Sequence, residues 1–296
     1  AGDRVIPLGH REPDESQAIA MDARPPAGGK IVQEGGRGQY PGAVAALERH
    51  AEVDEQYNLV YAALADFPNP AADHVIAYGG DPLQFGELRL PEGDGPFPVI
   101  VYLHGGCWMS EYDIAHSRVL THAFTRAGIA TWSLEYRRIG DPGGAWPGTF
   151  EDAEAGYAYL SKLVDTYALD PARVIIAGHS AGGHLALWIA QRIEEQAPDG
   201  VIRPRGVLGL APAPDLEFLY ENETCGQAAG KLMGGSPEEY PERYAYGSVA
   251  NHIPQSTAQI AIIGKYDEMW RPVGVRYARA AADQGAPIEV IDAAES

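Results

Sequence analysis

Thirteen residues constrain this chain more than any others: Arg173-Val174-Ile175-Ile176-Ala177-Gly178-His179-Ser180-Ala181-Gly182-Gly183-His184-Leu185. A β-branched apolar run ends in Gly-x-Ser-x-Gly and continues in small and apolar residues that suit a buried helix. Glycines at 178 and 182 let a strand reverse sharply into a helix, which holds Ser180 in a strained conformation with its hydroxyl projecting. The helix N-terminus behind it favours negative charge developing there. A small-residue turn without chemistry reads the same five letters, but the strand before and the helix after favour a nucleophile elbow.

From Phe97 onward, strand-like runs alternate with helical stretches, the signature of a mostly parallel sheet covered on both faces. Strands are expected at Pro98 to Leu103, Ala130 to Glu135, Val174 to Ala177, Gly206 to Leu210, Gln259 to Ile263 and Ile288 to Ile291. Helices are expected at Ile114 to Ala127, Thr149 to Tyr167, Ala181 to Glu195 and Val273 to Gln284. Ahead of them, His74 to Tyr78 and Phe85 to Leu90 read as an antiparallel pair joined through Gly79-Gly80-Asp81-Pro82. Asp170-Pro171-Ala172-Arg173 reads as a turn into the strand before Ser180. Residues 1–70 read as an arm and short helices, with helical spacing between Ala43 and Ala65. Residues 71–296 form the α/β domain, with a cap-like insertion at about 215–254.

The length of 296 residues and 45% hydrophobic content are enough for one sizeable core. A formal charge of −19 argues against nucleic acid or an anionic membrane as partner, since both require a basic surface. No run approaches the ~18 apolar residues of a transmembrane helix. Cys107 and Cys225 lie in different chemical settings and read as free thiols, which favours a reducing compartment such as the cytoplasm over export. The first residue is Ala1 rather than Met, which fits Met removal, a cleaved leader or trimming equally. No His-Glu-x-x-His, Cys-x-x-Cys or phosphate-binding glycine loop is present, so no metal or organic cofactor is expected.

Acyl transfer needs a nucleophile, a base, an acid that orients the base, and donors for the oxyanion. The strand before position 104 runs into His104-Gly105-Gly106-Cys107-Trp108, whose open glycine backbone can aim N–H groups at a carbonyl oxygen. The expected donors are Gly106, Cys107 and Ala181, with Gly105 as a substitute in the turn. His104 is expected to brace this loop by hydrogen bonds.

His104-Gly105-Gly106-Cys107-Trp108, Glu135-Tyr136-Arg137 and Gly178-His179-Ser180-Ala181-Gly182-Gly183-His184 together resemble the α/β-hydrolase superfamily. Within it, the resemblance is to the esterase, lipase and arylformamidase-like group, from about Tyr78 to the C-terminus. It implies an α/β-hydrolase fold, with a mostly parallel central sheet, helices on both faces and a small cap. It also implies the order Ser, Asp, His, and places Asp267 as the acid with Glu268 as fallback. The bland alternative for Asp267 is capping the helix that begins near Arg271. The same order puts the base histidine after the last strand, yet no His follows His252. The expectation is a histidine just beyond Ser296. His179 and His184 are expected to be structural, and His116 and His122 to pack or lie on the surface.

The implied reaction is hydrolysis of a carboxylic ester or small activated amide through an acyl-enzyme on Ser180. An arylformamidase acting on N-formylkynurenine is the enzymatic rival, and a non-catalytic binding protein of the same fold is the alternative if the base is truly missing. Trp108, Trp146 and Trp270 are the expected pocket aromatics, with some of the chain's aromatics belonging to the core. The oligomeric state is not legible.

Overall fold

The computed structural model describes residues 69–196, 199–253, 255–265 and 267–293. The arm and helices expected before residue 69 lie outside these. Eight strands form one sheet: β1 (His74–Ala77), β2 (Phe85–Arg89), β3 (Phe97–Leu103), β4 (Ala130–Leu134), β5 (Leu169–His179), β6 (Gly206–Leu210), β7 (Ala258–Ile263) and β8 (Ile288–Asp292). Their order is β1-β2-β4-β3-β5-β6-β7-β8. β1 and β2 pair antiparallel, as do β2 and β4, and every other pair is parallel. This is the α/β-hydrolase fold anticipated above.

Among the described residues, eight α-helices occur in chain order: α1 (Arg118–Arg126), α2 (Gly148–Ala158), α3 (Leu160–Thr166), α4 (Ala181–Gln196), α5 (Leu216–Glu221), α6 (Thr224–Met233), α7 (Pro241–Gly247) and α8 (Arg271–Asp283). The sheet is buried on both faces because its strands carry apolar side chains on both. Val99, Val101 and Leu103 of β3 join the main core, whereas Ile100 and Tyr102 face the layer made with Leu120 and Phe124 of α1. Trp132 of β4 is fully buried and donates its indole N–H to Gly156 O at 2.9 Å. Its ring lies where a Cβ on Gly86 would stand, so glycine at that place lets β2 close on the indole.

Three local features depart from the sequence reading. β5 starts at Leu169 rather than Val174, with a register shift between Phe97 and Val99 of its neighbour. The turn expected at Asp170–Arg173 is present inside the strand as an exposed irregularity, in which Asp170 Oδ1 accepts from Ala172 N at 2.9 Å and Oδ2 from Arg173 Nε at 2.6 Å. The first turn of the helix expected at Ile114 is a 3₁₀ turn, Ile114–Ser117, capped by Asp113. The helix expected over Thr149 to Tyr167 breaks at Tyr159, where ψ of −20° tightens the turn.

Between β6 and β7, the residues of the expected cap-like insertion form α5, α6, α7 and a 3₁₀ turn at Val249–His252. Leu216, Leu219, Leu232, Met233, Tyr244 and Val249 from this insertion are at most 1% exposed and belong to the main core. No helix among the described residues is long and apolar enough to cross a membrane.

Candidate active site

The parallel register brings the two motif loops together. Leu103, the last residue of β3, lies opposite Gly178 of β5 at the sheet centre, so both strands deliver their following loops to one carboxyl edge. Ser180 stands between the end of β5 and the start of α4 with φ of +53°, the left-handed conformation that L residues avoid. A Cβ on Gly178 would collide with Gly182 O, and one on Gly182 with the carbonyl oxygens of Leu103 and His104. The glycines are therefore required by close backbone approach on both sides of the serine. Ser180 N donates to Leu210 O at 2.8 Å, which fixes the turn to the end of β6.

Beyond β3, Gly106, Cys107 and Trp108 have φ of +112°, +51° and +57°. Two of these are non-glycine residues held in a region that costs roughly 1–3 kcal/mol each. The loop is held by Ile139 N donating to Trp108 O at 2.7 Å, by Ser110 N donating to Ile139 O at 3.0 Å and by Met109 N donating to Gly106 O at 2.9 Å. A Cβ built on Gly105 would lie 3.3 Å from Ser180 Cβ, so this loop packs directly on the serine. Among the described residues, the N–H groups of Gly105, Gly106, Cys107 and Ala181 have no acceptor. Backbone donors left without an acceptor can serve an oxygen that gains negative charge.

His104 is fully buried, with its ring stacked on Tyr136 at 4.4 Å between centroids. Its Nδ1 is 2.8 Å from Gly105 O and its Nε2 is 3.0 Å from Glu135 Oε1, while Tyr136 Oη donates to His104 O at 2.7 Å. The histidine braces the loop, as its sequence position suggested. Burial alone would raise the Glu135 carboxyl, but the His104 hydrogen bond and charge, Arg138 and the Ile114 N–H hold it below the usual range.

Asp267 follows β7 and its Oδ1 accepts from Trp270 N at 2.9 Å and Met269 N at 3.2 Å. This is the helix-entry role anticipated as its bland alternative; Oδ2 has no partner among the described residues. Asp267 is also within electrostatic reach of His179. Crowding by protein lowers the proton affinity of that exposed imidazole, and the Asp267 charge pulls it the other way. Glu268, the fallback acid, is exposed.

No described histidine hydrogen-bonds Ser180 or Asp267. His184 is fully buried and donates to Gly247 O at 2.7 Å, and burial pushes it down to about 4. His252 lies between Glu195 Oε1 at 2.9 Å and Ala245 O at 2.6 Å. His116 sits edge-on to His104, 5.5 Å between centroids.

One sequence expectation is corrected. Cys107 and Cys225 are not free thiols but a disulfide across 118 residues, joining the glycine loop to the left-handed stretch Cys225–Gln227 that precedes the regular part of α6. Sequence spacing gave no sign of it, because the two settings meet only when the insertion folds over the loop. Trp108 and Trp270 are core side chains, 1% and 8% exposed, which leaves them little open surface for a ligand. Trp146 is half-buried and packs edge-to-face on Phe150 and Tyr246. Among the described residues no cluster of three His, Cys, Asp or Glu could hold a metal ion.

The BD-FAE family model matches residues 87–272, more than half of the chain. Esterase LipU of Mycobacterium tuberculosis is 26% identical over 211 residues, covering 71% of this chain and 62% of that protein. An acetyl-hydrolase of Streptomyces hygroscopicus is 28% identical over 206 residues, 64% of this chain and 66% of its own length. The chain thus spans less than two thirds of these curated relatives. Among solved structures, a bacterial heroin esterase aligns with a TM-score of 0.63 at 21% identity, covering 86% of this chain and 82% of that one. A Pyrobaculum calidifontis esterase aligns with a TM-score of 0.64 at 20% identity, covering 85% and 88%. At such identity the structural likeness speaks for the fold.

Proposed function

The chain belongs to the BD-FAE family, and from that premise we propose that it is a serine hydrolase that cleaves a carboxylic ester through an acyl-enzyme on Ser180. The observation that carries this reading is the left-handed Ser180 packed against the glycine loop at Gly105; the N–H groups of Gly106, Cys107 and Ala181, which have no acceptor among the described residues, support it as oxyanion donors. The ester and acetyl-hydrolase names of its relatives support an ester over an amide.

In the proposed mechanism Ser180 Oγ attacks the ester carbonyl, and the carbonyl oxygen takes up negative charge facing the three N–H groups and the N-terminus of α4. Collapse expels the alcohol, and water then releases the acid. Asp267 is the orienting acid: Oδ1 is fixed by two backbone donors, which leaves Oδ2 to hold an imidazole N–H. The mechanism requires a histidine base that donates to Asp267 Oδ2 and accepts the Ser180 proton, and no described histidine hydrogen-bonds either residue.

The test uses the full-length natural protein with p-nitrophenyl acetate and butyrate and a fluorophosphonate probe, beside Ser180→Ala. Turnover is expected to fall by on the order of 10⁴-fold or more in the variant, with labelling abolished. Equal turnover by both proteins removes Ser180 from the chemistry. A folded natural protein that neither turns over nor labels is instead a binding protein of this fold.

A further inference from the structure

Resting on that reading of Ser180 and its backbone donors, we propose that His104 stands as a buried imidazolium at neutral pH, protonated on both nitrogens, and that it aims and polarises the Gly106 N–H. Nδ1 faces the Gly105 carbonyl at 2.8 Å and Nε2 faces Glu135 Oε1 at 3.0 Å. A carbonyl oxygen and an ionised carboxylate only accept. A neutral imidazole carries a single N–H, so it would set a lone pair against an oxygen at a place closed to water. Two protons satisfy both contacts.

Charge balance points the same way. The ionisable groups around the ring are Glu135 and Arg138 after β4, Asp141 bonded to Arg138 at 3.0 Å, His116 edge-on, Tyr136 stacked and His179 beyond Gly105. Glu135 also accepts from Ile114 N and Tyr136 N, at 2.9 and 3.0 Å, which keeps it ionised. With a charged His104 the set of Glu135, Asp141, Arg138 and His104 is neutral; with an uncharged ring it carries a net negative charge, relieved only where water reaches the half-buried Asp141. His116 complements this, since burial and then the His104 charge push it down to about 4 and leave it uncharged.

The functional consequence runs through one peptide group. In the trans Gly105–Gly106 peptide the C=O and N–H point in opposite directions. An imidazolium gripping Gly105 O therefore fixes where the Gly106 N–H points. Donation from a cation to the carbonyl also withdraws electron density through the amide and makes that N–H a stronger donor to a developing oxyanion. His104 is a positioning residue that never touches substrate.

The experiment is ring-¹⁵N NMR at pH 8 on the full-length natural protein, histidine-labelled and carrying His252→Asn. That substitution removes the other imidazole lying between a carboxylate and a carbonyl. One ring is expected to keep both nitrogens protonated, whereas an ordinary histidine at that pH is only a few per cent charged, about 3%. Introducing Glu135→Gln is expected to abolish that signal, and to lower kcat by about 10- to 100-fold with KM within about twofold. That is less than the ~10²–10³-fold of removing a donor outright. No imidazolium at pH 8, or one that survives Glu135→Gln, overturns the proposal. Loss of the proton with kcat unchanged overturns its polarising role. The NMR result needs no catalysis, so failure of the Ser180 reading shows separately, as hydrolysis unaffected by Ser180→Ala.

Discussion

At the residue scale, the elbow glycines and the acid carry the sharpest expectations. Gly182→Ala places a methyl against the carbonyls of Leu103 and His104, backbone atoms that cannot swing away. We expect a loss of several kcal/mol, about 3 or more, read as a lower urea midpoint or as failure to accumulate folded protein. Asp267→Asn keeps an oxygen for the Met269 and Trp270 N–H groups but removes the charge that stabilises an imidazolium. An approximately 10³- to 10⁴-fold drop in kcat with near-unchanged melting is expected, by analogy with the loss of a triad acid. A merely structural Asp267 leaves kcat intact. Both glycines of Gly-x-Ser-x-Gly were legible in the sequence because a strained turn excludes most side chains. The buried partner of His104 was not, because Glu135, and the Arg138 and Ile114 groups that bond Glu135 in turn, come beside the ring only through the fold.

At the element scale, β3 and β5 position the chemistry, and the disulfide between Cys107 and Cys225 ties the β3 loop to α6. A cross-link closing 118 residues removes about 4–5 kcal/mol of loop entropy from the unfolded chain in the chain-entropy account. Reduction, or Cys225→Ser, is therefore expected to lower the urea-derived unfolding free energy by about 3–5 kcal/mol; a change below about 1 kcal/mol denies the bond a structural role. Most strands were legible because β-branched runs and their bounding glycines and prolines repeat clearly along the chain. The insertion was not. α5, α6 and α7 span 6, 10 and 7 residues, too short for a period of 3.6 to repeat convincingly, and they owe their order to contacts with the main core. The disulfide follows from that docking, which is why two cysteines in unlike surroundings gave no hint of it.

At the scale of the whole molecule, pH and chain topology set what is measurable. His184 is held neutral by burial, with a folded value of about 4 against an ordinary 6.5. Its neutral-form stabilisation is fully present above about pH 6.5 and is lost as pH falls towards 4, because the unfolded chain takes up the proton first. Unfolding free energy is expected to fall by about 3 kcal/mol over that window from this residue, and urea titrations of His184→Gln should show a shallower slope there. A chain with formal charge −19 also repels itself, so added salt should raise the melting temperature.

The register that sets Leu103 beside Gly178 joins segments about 75 residues apart in the chain, and the acid loop comes from still further along. No fragment holding one motif holds the site, and local helix formation does nothing to assemble it. Hydrolysis followed during refolding would thus behave as a clock for the slowest long-range pairing, starting only after far-ultraviolet signals have levelled off.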